Sequence, residues 1–133
     1  MPARSSPTRV ITWPDRTRVE AALREWAGVL AAERPEVLRV GYFGSYARDD
    51  WGVGSDLDVI LVVSHSDRPF IERAVDYPAS RLPVPADLLI YTRDEFDELL
   101  RRGDRFSRMI ARETVWVLVR DENGGAGREG KPK

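Results

Sequence analysis

Cysteine is absent from this 133-residue chain, which excludes disulfides, thiolate metal sites and cysteine nucleophiles. Histidine occurs once, at His65, so poly-histidine metal sites and most Ser-His-Asp triads lack their parts. No apolar run approaches the ~18–20 residues that span a bilayer. The N-terminal MPARSSPTRV has no apolar core of signal-peptide type, so a soluble, cytoplasmic protein is expected. Neither sign of charge is in excess. The 21 Lys and Arg residues against 22 Asp and Glu leave a net charge of −1, with no global pull toward nucleic acid or an anionic membrane. Chemistry falls to carboxylates, hydroxyls, Arg and a hard metal.

Hydrophobic residues make up 42% of the chain, enough for one core and too little length for two. Residues 1–12 are polar and read as a flexible N-terminus. The tail 121–133, DENGGAGREGKPK, has nothing to bury and reads as disordered. A single domain over 13–120 lies between them.

Thr12-Trp13-Pro14-Asp15 reads as a helix start. Val19, Leu23, Trp26 and Leu30 then form an amphipathic stripe that stops at Arg34-Pro35. Leu38 to Phe43 reads as a strand, closed by Gly44-Ser45 and a short helical turn through Ala47 and Arg48. Residues 50–55 hold two glycines in three positions and read as a loop. Leu57 to Val63, apolar except for Asp58, reads as a strand covered on both faces. A short helix over 69–77 and an irregular, Pro-rich connection come next. Asp87 to Tyr91 is the third strand. Thr92 and Glu95 match a capping box opening a helix to about Arg102, with Phe96, Leu99 and Leu100 inward. A helix over 106–112 and a strand over Val115–Val119 complete the order. Such a mixture predicts an α/β (α+β) domain with a small mixed sheet of about four strands flanked by helices.

Asp56 and Asp58 flank Leu57 at the opening of the second strand. Residues i and i+2 of a strand share a face, about 6.8 Å apart. Two carboxylates there repel unless a cation sits between them, and hard oxygens suit Mg²⁺. Asp87 opens another strand and joins them if the two strands are neighbours. Gly44-Ser45 ends a strand before a helical turn, where backbone N–H groups and a hydroxyl can meet a phosphate. Taken singly, each of these is more readily a turn or strand-end residue than part of a site.

Together they form Gly-Ser, ten residues, Asp-x-Asp, a strand and a later Asp. The segment GSYARDDWGVGSDLDVILVV with Asp87 resembles the nucleotidyltransferase superfamily related to DNA polymerase beta, and most closely its minimal single-domain members. The resemblance spans roughly residues 38–120. It implies the nucleotidyltransferase fold, with Gly44, Ser45 and Arg48 holding the triphosphate of ATP. Asp56, Asp58 and Asp87 would be the catalytic carboxylates and ligands of Mg²⁺, with Asp87 as ligand or base. An ordinary aspartate, with pKa near 3.9, is a feeble base unaided. It further implies transfer of AMP to an acceptor. In that group such domains are commonly antitoxins that modify helical HEPN-type toxins, so a partner of that type or a second copy is expected. Nucleic acid would enter only through the partner or acceptor. The alternatives are an inactive antitoxin acting by binding alone, and an enzyme acting on a small molecule or nucleic acid. One departure is plain: Arg48 is followed by Asp49-Asp50 where the superfamily often has Gly, which places negative charge near the triphosphate.

His65 reads as a surface-loop residue, and Trp51 as packing under its loop rather than stacking on a base. Arg101, Arg102, Arg105, Arg108 and Arg112, interleaved with Glu98, Asp104 and Glu113, read as a solvated face.

Overall fold

Asp15 caps the first helix: its carboxylate accepts from the Arg18 N–H at 3.0 Å, and Pro14 stays outside the first turn. The computed structural model describes residues 12–120, so the expectations for 1–11 and for the tail from 121 lie outside the described residues. The elements are α1 (Arg16–Glu33), β1 (Val37–Phe43), α2 (Ser45–Arg48), β2 (Leu57–Val63), a 3₁₀ helix (Phe70–Asp76), β3 (Ala86–Thr92), α3 (Arg93–Arg102), α4 (Arg105–Glu113) and β4 (Val115–Val119). The sheet order is β3-β2-β1-β4. β2 runs antiparallel to β1 and parallel to β3, and β4 runs antiparallel to β1.

The period of two along β2 divides the core. Leu57, Val59, Leu61 and Val63 pack with Val19, Leu23, Ala27 and Leu30 of α1. Ile60 and Val62 pack with Phe96 and Leu99 of α3 and Ile110 of α4. β2 is therefore covered on both faces, as its apolar run predicted. Asp58 belongs by alternation to the α3/α4 face, at the end of β2 where that layer stops. Leu100 departs from its expected inward place. It is 40% exposed, because the inner face of this ten-residue helix is filled by Phe96 and Leu99.

Polar side chains fix the layers to the sheet. The buried Tyr42 donates to Glu20 and accepts from Arg16 Nε, tying α1 to β1. Burial and the Glu20 hydrogen bond push the Tyr42 hydroxyl up to about 12. Arg120 donates to the carbonyls of Ala31, Arg34 and Val37, satisfying groups at the end of α1 and the start of β1. The expected capping box is present, and its Glu95 carboxylate also receives two bonds from the buried Arg73, at 2.6 and 3.1 Å. Arg73 donates further to Ile90 O, on the edge strand β3, at 3.0 Å. An occupied carbonyl on an edge strand resists pairing with another chain. Arg73→Ala is expected to cost about 2 kcal/mol in urea unfolding, the loss of several charge-assisted bonds to a partly exposed carboxylate and to the Ile90 and Arg68 carbonyls.

Candidate active site

The acidic residues meet at one end of the sheet. Asp58 and Asp87 are register partners on the parallel strands β2 and β3. Their α-carbons are therefore neighbours about 4.8 Å apart, and alternation puts both side chains on the same face. Asp56 precedes β2 by one residue and shares the parity of Asp58. Across the other side of β2, Phe43 at the end of β1 is the partner of Asp58, and Gly44 follows it. The fold thus brings together Gly44, Asp56, Asp58 and Asp87.

Gly44 lies at φ +81° and ψ −150°, a backbone region open almost only to glycine. A Cβ at this position would stand 2.2 Å from Asp58 Oδ2. The missing side chain is what lets the Asp58 carboxylate lie against the Gly44-Ser45 turn. Ser45 then opens α2, whose first N–H groups have no partner within the helix.

Asp58 is half-buried at this edge, whereas Asp56 and Asp87 are exposed. Burial lifts the Asp58 carboxyl above its ordinary range, and the charges of Asp87 and Asp56 add to the effect. Arg48 acts in the opposite sense. Among the described residues, no hydrogen bond or ion pair reaches any of the three carboxylates. Uncompensated hard oxygen donors of this kind fit a hard divalent cation. Among the described residues, no three His, Asp or Glu side chains are arranged to hold a metal ion.

Arg48 points its Nε at Asp50, 3.1 Å away, and its Nη1 at Glu113, 3.3 Å away. Through these contacts α2 meets the following loop and the end of α4. The pairing turns Asp50 toward a cation. Asp49 is the cap of α2 at φ +64°, the left-handed conformation that glycine adopts freely. The departure from the superfamily's usual Gly is therefore made at a position where Asp is among the tolerated residues. Asp49→Gly is expected to leave stability unchanged or raise it, whereas Asp49→Val costs about 1–2 kcal/mol by urea unfolding.

Trp51 stacks on the buried Tyr46, with ring centroids 5.7 Å apart and planes within 6°, so it packs under the loop as expected. His65 is exposed and contacts Ser64 at 3.0 Å. In the basic run, Arg101 pairs with Glu98, Arg102 with Asp104, and Arg108 donates to Gly103 O, which fits a solvated face. Glu113 was part of that face in the sequence. Its bond to Arg48 joins residues 65 apart, a relation that no local pattern signals.

A family model for the nucleotidyltransferase domain matches residues 23–117. No curated protein matches the sequence. Among solved structures, one from Sulfolobus solfataricus, described as a nucleotidyltransferase, aligns with a TM-score of 0.57 at 22% identity. The alignment covers 79% of this chain and 84% of that one, a likeness of fold. A toxin-antitoxin structure with AMP-PNP has a TM-score of 0.49 at 18% identity, covering 79% of this chain and 77% of that one. A mutant of the toxin-antitoxin MntA-HpeT has a TM-score of 0.48 at 16% identity, covering 79% and 76%. Among the described residues, no helix is long and apolar enough to cross a membrane.

Proposed function

The chain belongs to the nucleotidyltransferase domain family, and from that premise we propose that it transfers AMP from ATP to a hydroxyl on a partner protein, acting as an antitoxin. The observation that carries the assignment of the site is the Asp58–Asp87 register pair lying against the Gly44-Ser45 turn.

In this reading the Ser45 hydroxyl and the first N–H groups of α2 donate to the phosphate oxygens of the nucleotide. Gly44 lets the triphosphate and the Asp58 carboxylate approach the same turn. Asp56, Asp58 and Asp87 would hold Mg²⁺, which when bound supplies positive charge against that developing on the phosphates. The acceptor oxygen attacks the α-phosphorus in line with the bond to the β-phosphate. That P–O bond breaks, pyrophosphate departs, and Asp87 takes the acceptor's proton in this reading. A carboxylate can do so when the hydroxyl is held within hydrogen-bond reach.

Openness supports a macromolecular acceptor. Asp56 and Asp87 are exposed, and Val53 is 68% exposed in the loop leading to Asp56. A small acceptor is better served by a concave, enclosed site. Resemblance to the minimal single-domain group supports a helical HEPN-type protein as that acceptor. The test is incubation with α-labelled ATP, Mg²⁺ and the product of the adjacent gene. Label on the partner is expected. Co-purification with no label would favour an antitoxin that acts by binding alone.

A further inference from the structure

Glu113 is the last residue of α4, the end at which the helix dipole disfavours a negative charge. Its side chain is 20% exposed, and its contact is the Arg48 guanidinium. A carboxylate kept at an unfavourable helix end, with one cation as its partner, serves poorly as a device for holding α4. Arg48 is the last residue of α2, the four-residue helix that Ser45 opens. It is also pulled from the other side by Asp50, only two residues along the chain. With Asp50 as its sole partner, the guanidinium would fold back along its own loop.

We infer that Glu113 is a positioning residue that holds Arg48 against the pull of Asp50, keeping the guanidinium available to the triphosphate bound at the Gly44-Ser45 turn. The inference rests on the nucleotide reading of that turn and adds to it a residue from the far end of the sequence. Arg48 shared between two carboxylates is poised rather than locked, because exposed ion pairs are individually weak. A triphosphate offers more negative charge than either carboxylate and draws Arg48 from this shared position.

The experiment uses the full chain and Mg²⁺ with α,β-methylene-ATP, an analogue that resists transfer, titrated by calorimetry. Glu113→Gln is expected to weaken binding about tenfold, the effect of misplacing one charge-assisted contact. The melting temperature should stay level or rise, since a negative charge leaves the C-terminal end of a helix. Adding Asp50→Asn should recover most of the lost affinity, and Glu113→Asp should keep part of it. In an Arg48→Ala background, Glu113→Gln should have no further effect. Unchanged affinity in Glu113→Gln, or the same loss without Arg48, overturns the inference. A lower melting temperature at unchanged affinity reduces Glu113 to a structural brace. Failure of the wild-type chain to bind the analogue overturns the nucleotide reading itself, a separate outcome from failure of the Glu113 variant alone.

Discussion

Asp58→Asn should lower nucleotidyl transfer by about 10²–10³-fold while raising the melting temperature of the unliganded chain by a few degrees. The two effects have one cause. Asp58 is half-buried beside Asp87 and Asp56, and its carboxyl is held above its ordinary range by burial first and by those charges second. In the folded chain the ionised form is therefore disfavoured. A carboxyl raised in this way contributes stability below its unfolded pKa, and that contribution is lost as pH rises through the folded value. At neutral pH the unliganded protein carries the cost of an ionised Asp58, reduced by partial exposure to solvent. Asn keeps the shape and removes the charge. The same charge is the one a phosphate-bound cation would need, so stability improves where activity disappears. Thermal melts from acid to neutral pH check the sign. Glu95 and Asp104 are held below the ordinary carboxylate range and gain stability over the same window, so the sign is read from the difference: the advantage of the Asn variant over the wild type should grow as the pH rises. A variant that melts lower than wild type at neutral pH would mean that Asp58 is a structural residue.

Gly44→Ala should be damaging on both counts. At φ +81° and ψ −150° a residue with a Cβ costs about 1–3 kcal/mol in backbone strain. The added carbon would also stand 2.2 Å from Asp58 Oδ2, so either the turn or the carboxylate must move. A displacement of that size at a reacting centre lowers the rate by about 100-fold. The expected result is a loss of stability together with a loss of transfer that substrate saturation does not restore. Circular dichroism melts and initial rates measured on the same preparation separate the two. Full activity in a folded Ala variant would show that the close approach of Asp58 to this turn has no part in the reaction.

Local patterns in the sequence carried the elements well, because their causes are local. The apolar run of β2 announced burial on both faces, and the Thr92–Glu95 box marked the start of α3 to the residue. The acidic site was legible only in its components. Asp56 and Asp58 share a face by strand period alone, whereas the approach of Asp87 depends on β2 and β3 pairing in register. Leu100 shows the limit of periodicity: a short helix has room on its inner face for Phe96 and Leu99, and the next apolar residue falls outside. Arg73 and Glu113 escaped notice for another reason. Their partners, Glu95 and Arg48, lie 22 and 65 residues away, and charged residues in a surface-like pattern give no sign of a distant ion pair.

Asp49-Asp50, the least favourable feature of the sequence for binding a triphosphate, takes on a different meaning in the fold. Asp49 occupies a left-handed cap that its residue type tolerates, and Asp50 spends its charge on Arg48. The net charge near zero likewise conceals a separation, with Asp56, Asp58 and Asp87 gathered at one sheet end and no cation paired to them among the described residues.

The initial rate of pyrophosphate release from ATP in the presence of Mg²⁺ and the acceptor protein, compared for wild type and for Asp56→Asn, Asp58→Asn and Asp87→Asn, tests the central claim most directly. The account predicts that each substitution lowers the rate by about 100-fold or more with the fold intact. Three folded variants that release pyrophosphate as fast as the wild type would contradict it.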